Sequence, residues 1–302
     1  MKSKPRRLAV YTTVHPGARP FLPRWYESVL SQVDRDFDLW ISLDGVSENE
    51  AAALMNGVAR PTWLSTRDGD TPAEIRQKAI ASMVNIYFGI VFVDSDDVLE
   101  PTRVEAARAA LETHDVIGCG LRVVDEHEMD LGILFGSSWE DMAELLAQYN
   151  VFGLSNTAYR SEVLRDCLPL PAECEAIDWL LATRAWGMGA RMAFDVEPRM
   201  AYRRYLGNAA PLLPPFTSTQ VVKATQGVLR HYRCALETGP RLHQSVCDAL
   251  SLASDRATTF AKSITSSNHV LDAYVAALNR LPAKCVWWWC VAHPELECIW
   301  KQ

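Results

Sequence analysis

The chain has 302 residues, 49% of them apolar, and this supports a full buried core in one large domain or a domain with an appendage. Its formal charge of -7 excludes broad nonspecific nucleic-acid binding, which needs a basic face. The basic run Lys2, Lys4, Arg6 and Arg7 reads as a solvated terminus, and the apolar runs Ile86 to Val93 and Cys285 to Ala292 fall short of the ~20 residues of a membrane-spanning helix. With no signal-peptide pattern, the cytoplasm is the expected compartment. The eight cysteines (119, 167, 174, 234, 247, 285, 290 and 298) include no Cys-x-x-Cys pair, so reduced, mostly buried thiols are expected.

In chain order, Leu8 to Val14 predicts a first strand, followed by a Pro/Gly loop from His15 to Pro20 and a helix whose apolar face includes Trp25, Val29 and Leu30. Phe37 to Leu43 predicts a second strand that ends in Asp44-Gly45. A helix over Glu48 to Asn56, a short strand at Trp63 to Ser65 and a polar loop from Thr66 to Thr71 follow, and Pro72 suits the first turn of a helix running to about Asn85.

That helix leads into Val91-Phe92-Val93-Asp94-Ser95-Asp96-Asp97, an apolar run that breaks directly into three carboxylates. The apolar part reads as a strand buried on both faces, which puts the acids at its carboxyl end, where open α/β sheets bind ligands. Asp-x-Asp there offers hard oxygen ligands to Mg²⁺ or Mn²⁺ bridging the phosphates of a nucleotide. The plainer alternative is that Asp96 and Asp97 cap a helix starting near Pro101.

Strand and helix alternate through the first ~125 residues, which predicts a mostly parallel sheet with helices on both faces and puts Asp44 and Asp94 on one edge. Val116 to Phe135 holds two β-rich stretches around the turn-like Asp125 to Asp130, suited to antiparallel strands. Asp178 falls in the first turn of a helix from about Ile177 to Gly187, where an acid complements the helix dipole or serves as a general base. Tyr202-Arg203-Arg204-Tyr205 combines aromatic and basic groups able to hold an anion. After Pro211 to Pro215 the pattern is helical: Thr219 to Leu236, Leu242 to Ser263 and Val270 to Leu281. A catalytic domain over residues 1–210 and a helical region over 211–302 are expected, the latter suited to packing on the sheet, covering the acceptor or forming a homo-oligomer.

Together these pieces resemble the family 2 glycosyltransferases, nucleotide-sugar enzymes of the GT-A fold, over about residues 6 to 210. The matching stretches are Val10-Tyr11-Thr12-Thr13, Ser28-Val29-Leu30-Ser31-Gln32, Asp44-Gly45, Gly69 with Arg76-Gln77, Phe92 to Asp97 with Pro101, Ile177-Asp178-Trp179-Leu180, and Tyr202-Arg203 with Asn208. The resemblance implies a Rossmann-like α/β sheet and inverting transfer of a sugar from a nucleoside-diphosphate sugar, expected to be UDP-linked, to an acceptor hydroxyl.

In that scheme Asp178 is the base, Thr13, Asp44, Arg76, Asp94 and Ser95 contact the nucleotide sugar, and Asp94 and Asp96 hold Mn²⁺ or Mg²⁺. Trp179, Arg203 and Tyr205 are candidate anion or acceptor contacts. Asp97 is read as a helix-entry residue. Two departures stand out: Ile177 replaces the family's usual Glu, and Tyr205 stands where many relatives carry His. The acceptor is open among a glycan, a lipid-linked sugar, a protein and a modified nucleic-acid base. Competing readings are a nucleotidyltransferase, for which His15 to Pro20 is a weak phosphate loop, and a noncatalytic carbohydrate-binding protein on a transferase frame. Cys285, Cys290, His293 and Cys298 are weighed as zinc ligands against buried thiols beside Trp287-Trp288-Trp289, itself core, partner-facing or an acceptor platform.

Overall fold

The computed structural model describes residues 6–57, 60–136, 145–205, 213–282 and 286–301. Four strands, β1 (Leu8–Val14), β2 (Phe37–Leu43), β3 (Thr62–Ser65) and β4 (Gly89–Phe92), run parallel in the order β3-β2-β1-β4. They are joined through α1 (Leu22–Leu30), α2 (Glu48–Leu54) and α3 (Pro72–Met83). All seven residues of β1 are buried, as a central strand covered on both faces requires. A capping box between Thr71 and Glu74, with Pro72 in the first turn, starts α3 and so fixes where Arg76 stands. On α1 Trp25 and Val29 face the core, whereas Leu30 is turned outward.

Beyond β4 the chain forms β5 (Val98–Leu99), α4 (Arg103–Leu111), β6 (Val116–Val124), β7 (Asp130–Phe135), β8 (Thr157–Arg160), α5 (Ser161–Asp166), α6 (Ile177–Gly187) and β9 (Met192–Arg203). The sheet continues as β4-β8-β6-β9-β5, with β8 antiparallel to β4 and β6, β6 parallel to β9, and β7 closing an antiparallel hairpin on β6. The fold is thus α/β, with a mixed, largely parallel sheet flanked by helices. The hairpin matches the expected antiparallel extension, but β8 and the long β9 have no counterpart in the sequence reading.

Helices α7 (Ser218–Glu237), α8 (Gln244–Ser266) and α9 (Asn268–Leu278) follow, then a short α10 (Glu297–Trp300). One continuous apolar core runs from the central strands through these helices to Trp300. The expected 210/211 boundary lies outside the described residues. Trp287 and Trp289 are buried, and Trp287 exchanges both backbone hydrogen bonds with Asn150, at 3.2 and 3.1 Å. No helix among the described residues is long and apolar enough to cross a membrane. Cys119, Cys167, Cys174, Cys234, Cys247 and Cys290 carry free thiols.

Candidate functional site

Because β2, β1 and β4 are parallel neighbours, Asp44 and Asp94 leave the sheet on the same edge. The Asp44 amide donates to the Val14 carbonyl at 2.8 Å, tying the ends of β1 and β2 together. Ser95 is 1% exposed and its hydroxyl donates to the Thr13 carbonyl at 2.8 Å, so this side chain fastens the acidic loop to β1. Thr13 is also buried, its hydroxyl sharing a 3.0 Å bond with that of Tyr11. The hydroxyls expected to meet the nucleotide sugar are therefore engaged inside the protein.

The three acids after Val93 have separate roles. Asp94 donates its amide to Ser155 Oγ at 2.8 Å and points its carboxylate at Arg76, 3.9 Å away, with 36% of the side chain open to a ligand. Burial first, then the charges of Asp96 and Asp178, push its carboxyl up to about 7 against the pull of Arg76. Asp96 accepts the Tyr205 hydroxyl on Oδ2 at 2.9 Å.

Asp97 is 1% exposed and accepts the Arg203 amide at 2.7 Å as well as the Ser155 hydroxyl. Burial, reinforced by Asp96 and Asp94, holds its carboxyl well above the usual carboxylate range. The helix-entry reading of Asp97 is thereby corrected. The following helix starts at Arg103 with Thr102 as its N-cap, and β5 intervenes. Asp97 instead stitches the acidic loop to the end of β9.

Asp178 lies in the first turn of α6, half-buried. Its Oδ1 accepts the Trp179 amide and its Oδ2 the Asn150 side-chain amide, both at 2.8 Å. Burial raises its carboxyl, while the Trp179 amide, Arg76 and Asn150 oppose the rise. The charge of Arg76 thus acts on both Asp94 and Asp178.

Two expected acceptor contacts face elsewhere. Trp179 is 0% exposed, donates Nε1 to the Leu146 carbonyl at 2.9 Å and stacks on His231 with ring centroids 3.7 Å apart. One residue along a helix turns the side chain by about 100°, and this carries Trp179 into the core while Asp178 faces the edge. Arg203 is 2% exposed: Nε donates to the Asp96 carbonyl at 2.7 Å, Nη1 to the Glu126 carbonyl at 3.1 Å and Nη2 to Glu128 at 3.0 Å, and the guanidinium lies over Phe21. It braces the acidic loop. Tyr205 does reach the acids, with its ring 5.0 Å from Phe21. Asn150 and Ser155, absent from the sequence reading, complete the cluster, and only their long-range partners reveal them.

As a divalent-cation site, Asp94 and Asp96 fit in chemistry, since both are hard carboxylate donors close enough for the charge of one to raise the other. Among the described residues no group of three or more His, Cys, Asp or Glu gathers to hold a metal, so further ligands would be diphosphate and water. Cys290, His293 and Cys298 form no such group of three, while Cys285, like Asn208, lies outside the described residues. In the loop after β1, Arg19 is paired with Glu50 at 2.6 Å, which weakens that loop as a phosphate cradle for nucleotidyl transfer.

No protein-family model matches the chain, and no curated protein does either. Solved structures do. S. aureus TarS 1-349 aligns with a TM-score of 0.59 at 15% identity, over 86% of this chain and 73% of that one. The same protein in complex with UDP-GlcNAc aligns at 0.53 and 14% identity, over 76% and 71%. The mannosyltransferase PcManGT from Pyrobaculum calidifontis, in complex with GDP-Man and Mn2+, aligns at 0.50 and 16% identity, over 92% and 81%. The chain therefore has the GT-A-like α/β fold of these structures.

Proposed function

We propose that this chain is an inverting glycosyltransferase of the family 2 type, moving a sugar from a nucleoside-diphosphate sugar, UDP-linked in the simplest case, to an acceptor hydroxyl. The observation that carries the reading is the convergence of the loop acids Asp94 and Asp96 with Asp178 of α6 and Arg76 of α3 at one sheet edge, on a fold whose solved examples hold UDP-GlcNAc and GDP-Man. Asp178 is the base. Burial raises its carboxyl and makes it a stronger base than an ordinary carboxylate, and its two amide donors hold the carboxylate still. Direct attack by the acceptor oxygen, with no enzyme nucleophile, inverts the anomeric centre. Arg76 stabilises the carboxylates and the incoming diphosphate by charge. Asp94 and Asp96 would hold Mn²⁺ or Mg²⁺, which when bound neutralises charge developing on the leaving diphosphate. Asp44, at the joined ends of β1 and β2, receives the nucleoside in this reading.

The test is a thermal-shift screen of nucleotide sugars with Mn²⁺, then nucleoside diphosphate release from the best donor, with and without acceptors. Asp178→Asn should abolish release while nucleotide affinity stays within about twofold. Asp96→Ala should remove the Mn²⁺ dependence. Undiminished release by Asp178→Asn would overturn the base assignment.

A further inference from the structure

We infer that Asn150 is a positioning residue for Asp178, its side-chain amide held in a single orientation by Phe152 and by backbone pairing with Trp287. The inference rests on the proposed role of Asp178 as the base. Asn150 is 0% exposed, and its Oδ1 accepts the Phe152 amide at 2.9 Å. With the oxygen committed to an N–H donor, Nδ2 faces Asp178 Oδ2 at 2.8 Å. The backbone on either side is equally fixed, since Asn150 and Trp287 exchange N–H and C=O groups at 3.2 and 3.1 Å. Trp287 is wedged in turn, its ring 4.6 Å from that of Phe135 and 5.8 Å from that of Tyr202, and across Gly153. A segment late in the chain therefore sets the angle of a carboxylate on α6.

The consequence is both geometric and electrostatic. The Trp179 amide takes one oxygen of Asp178 and Asn150 the other, which fixes the carboxylate plane and leaves one lone pair on each oxygen for an acceptor proton. Both donors favour the ionised form. The other titratable or charged groups acting around Asp178 are Arg76 on α3, Asp94 after β4, Tyr159 on β8 and Cys174 in the loop before α6. None of these replaces the Asn150 donor.

The experiment compares the full chain with Asn150→Ala and with the isosteric Asn150→Asp, which keeps an acceptor for Phe152 but loses the donor. Asp178 is titrated by carbon-13 carboxyl NMR, its resonance identified by its absence in Asp178→Asn. Losing a hydrogen bond to a charged group should raise the Asp178 midpoint by about one unit or more in Asn150→Ala, and further in Asn150→Asp, whose added carboxylate repels it. An unchanged midpoint in the folded variants overturns the inference. If Asn150→Ala does not fold, Asn150→Asp carries the measurement. In parallel, acceptor-free hydrolysis of UDP-GlcNAc or GDP-mannose, whichever the protein binds, should show kcat down about tenfold with the donor KM unchanged and the acid limb shifted upward. Normal hydrolysis by Asp178→Asn would sink the base reading alone, because the NMR titration still reports whether Asn150 holds the carboxylate.

Discussion

Ser155→Ala isolates the junction on which the acidic loop depends. The hydroxyl donates to the buried Asp97 carboxyl and accepts the Asp94 amide, so its removal breaks two bonds at once. A hydrogen bond to a carboxyl contributes about 1–3 kcal/mol, according to its ionisation, and an orphaned buried amide costs about 1–3 kcal/mol more. Because Asp97 keeps the Arg203 amide and the loop can relax, a net loss of about 2–4 kcal/mol is expected. At about 2–3 °C per kcal/mol for a chain of this size, Tm should fall by roughly 5–10 °C. Calorimetry on Ser155→Ala, Asp97→Asn and the double variant measures it. The pair should couple by about 1–2 kcal/mol, the double variant losing less than the sum of the singles. A Tm change under about 2 °C for Ser155→Ala, or strict additivity, would refute the claim that this hydroxyl ties the acids together.

Mn²⁺ binding should depend on pH through Asp94. Its carboxyl is raised to about 7, so the ligand is protonated below that pH, and the Mn²⁺ Kd should worsen about tenfold per unit of acidification and level off above about 7.5. A flat titration calorimetry series from pH 5.5 to 7.5 would contradict this. Arg203→Lys should destabilise by about 2–4 kcal/mol in urea unfolding despite keeping the charge, because an ammonium cannot match three acceptors arranged around a planar fork. Gly153→Ala places a Cβ 2.7 Å from the Trp287 ring at a backbone conformation alanine tolerates, so its cost of about 1–3 kcal/mol should be purely steric. Reversal by Trp287→Leu in the double variant would support that origin.

The parallel half of the sheet was legible because β1, β2 and β4 are short, apolar-rich runs, broken only by Thr12 and Thr13 in the first and by Asp38 and Ser42 in the second, and because Pro72 and Thr71 punctuate the helix between β3 and β4. The three C-terminal helices were legible from their period, whereas α6, buried on almost every face, shows none. Thr157–Arg160 was not: four residues carry too little pattern, and only pairing with β4 and β6 makes them a strand. The direction in which each side chain around the candidate site points was less legible than its place along the chain. Trp179 follows Asp178 directly, but rotation along the helix sends it inward, and three acceptors claim Arg203. Asn150 and Ser155 escaped notice because their meaning lies in partners tens of residues away, Asp178 for one and Asp94 and Asp97 for the other.

The pairing of Asn150 with Trp287 also orders events during synthesis. The parallel strands and the acidic loop leave the ribosome early, and synthesis is slow enough for their parallel pairing to begin before the chain is complete. The strand of backbone that braces Asn150 emerges only after the long helices have been made. A nascent chain can thus own a formed sheet and exposed acids while the arm beside Asp178 is still unsupported, so full activity should appear late, when that segment docks.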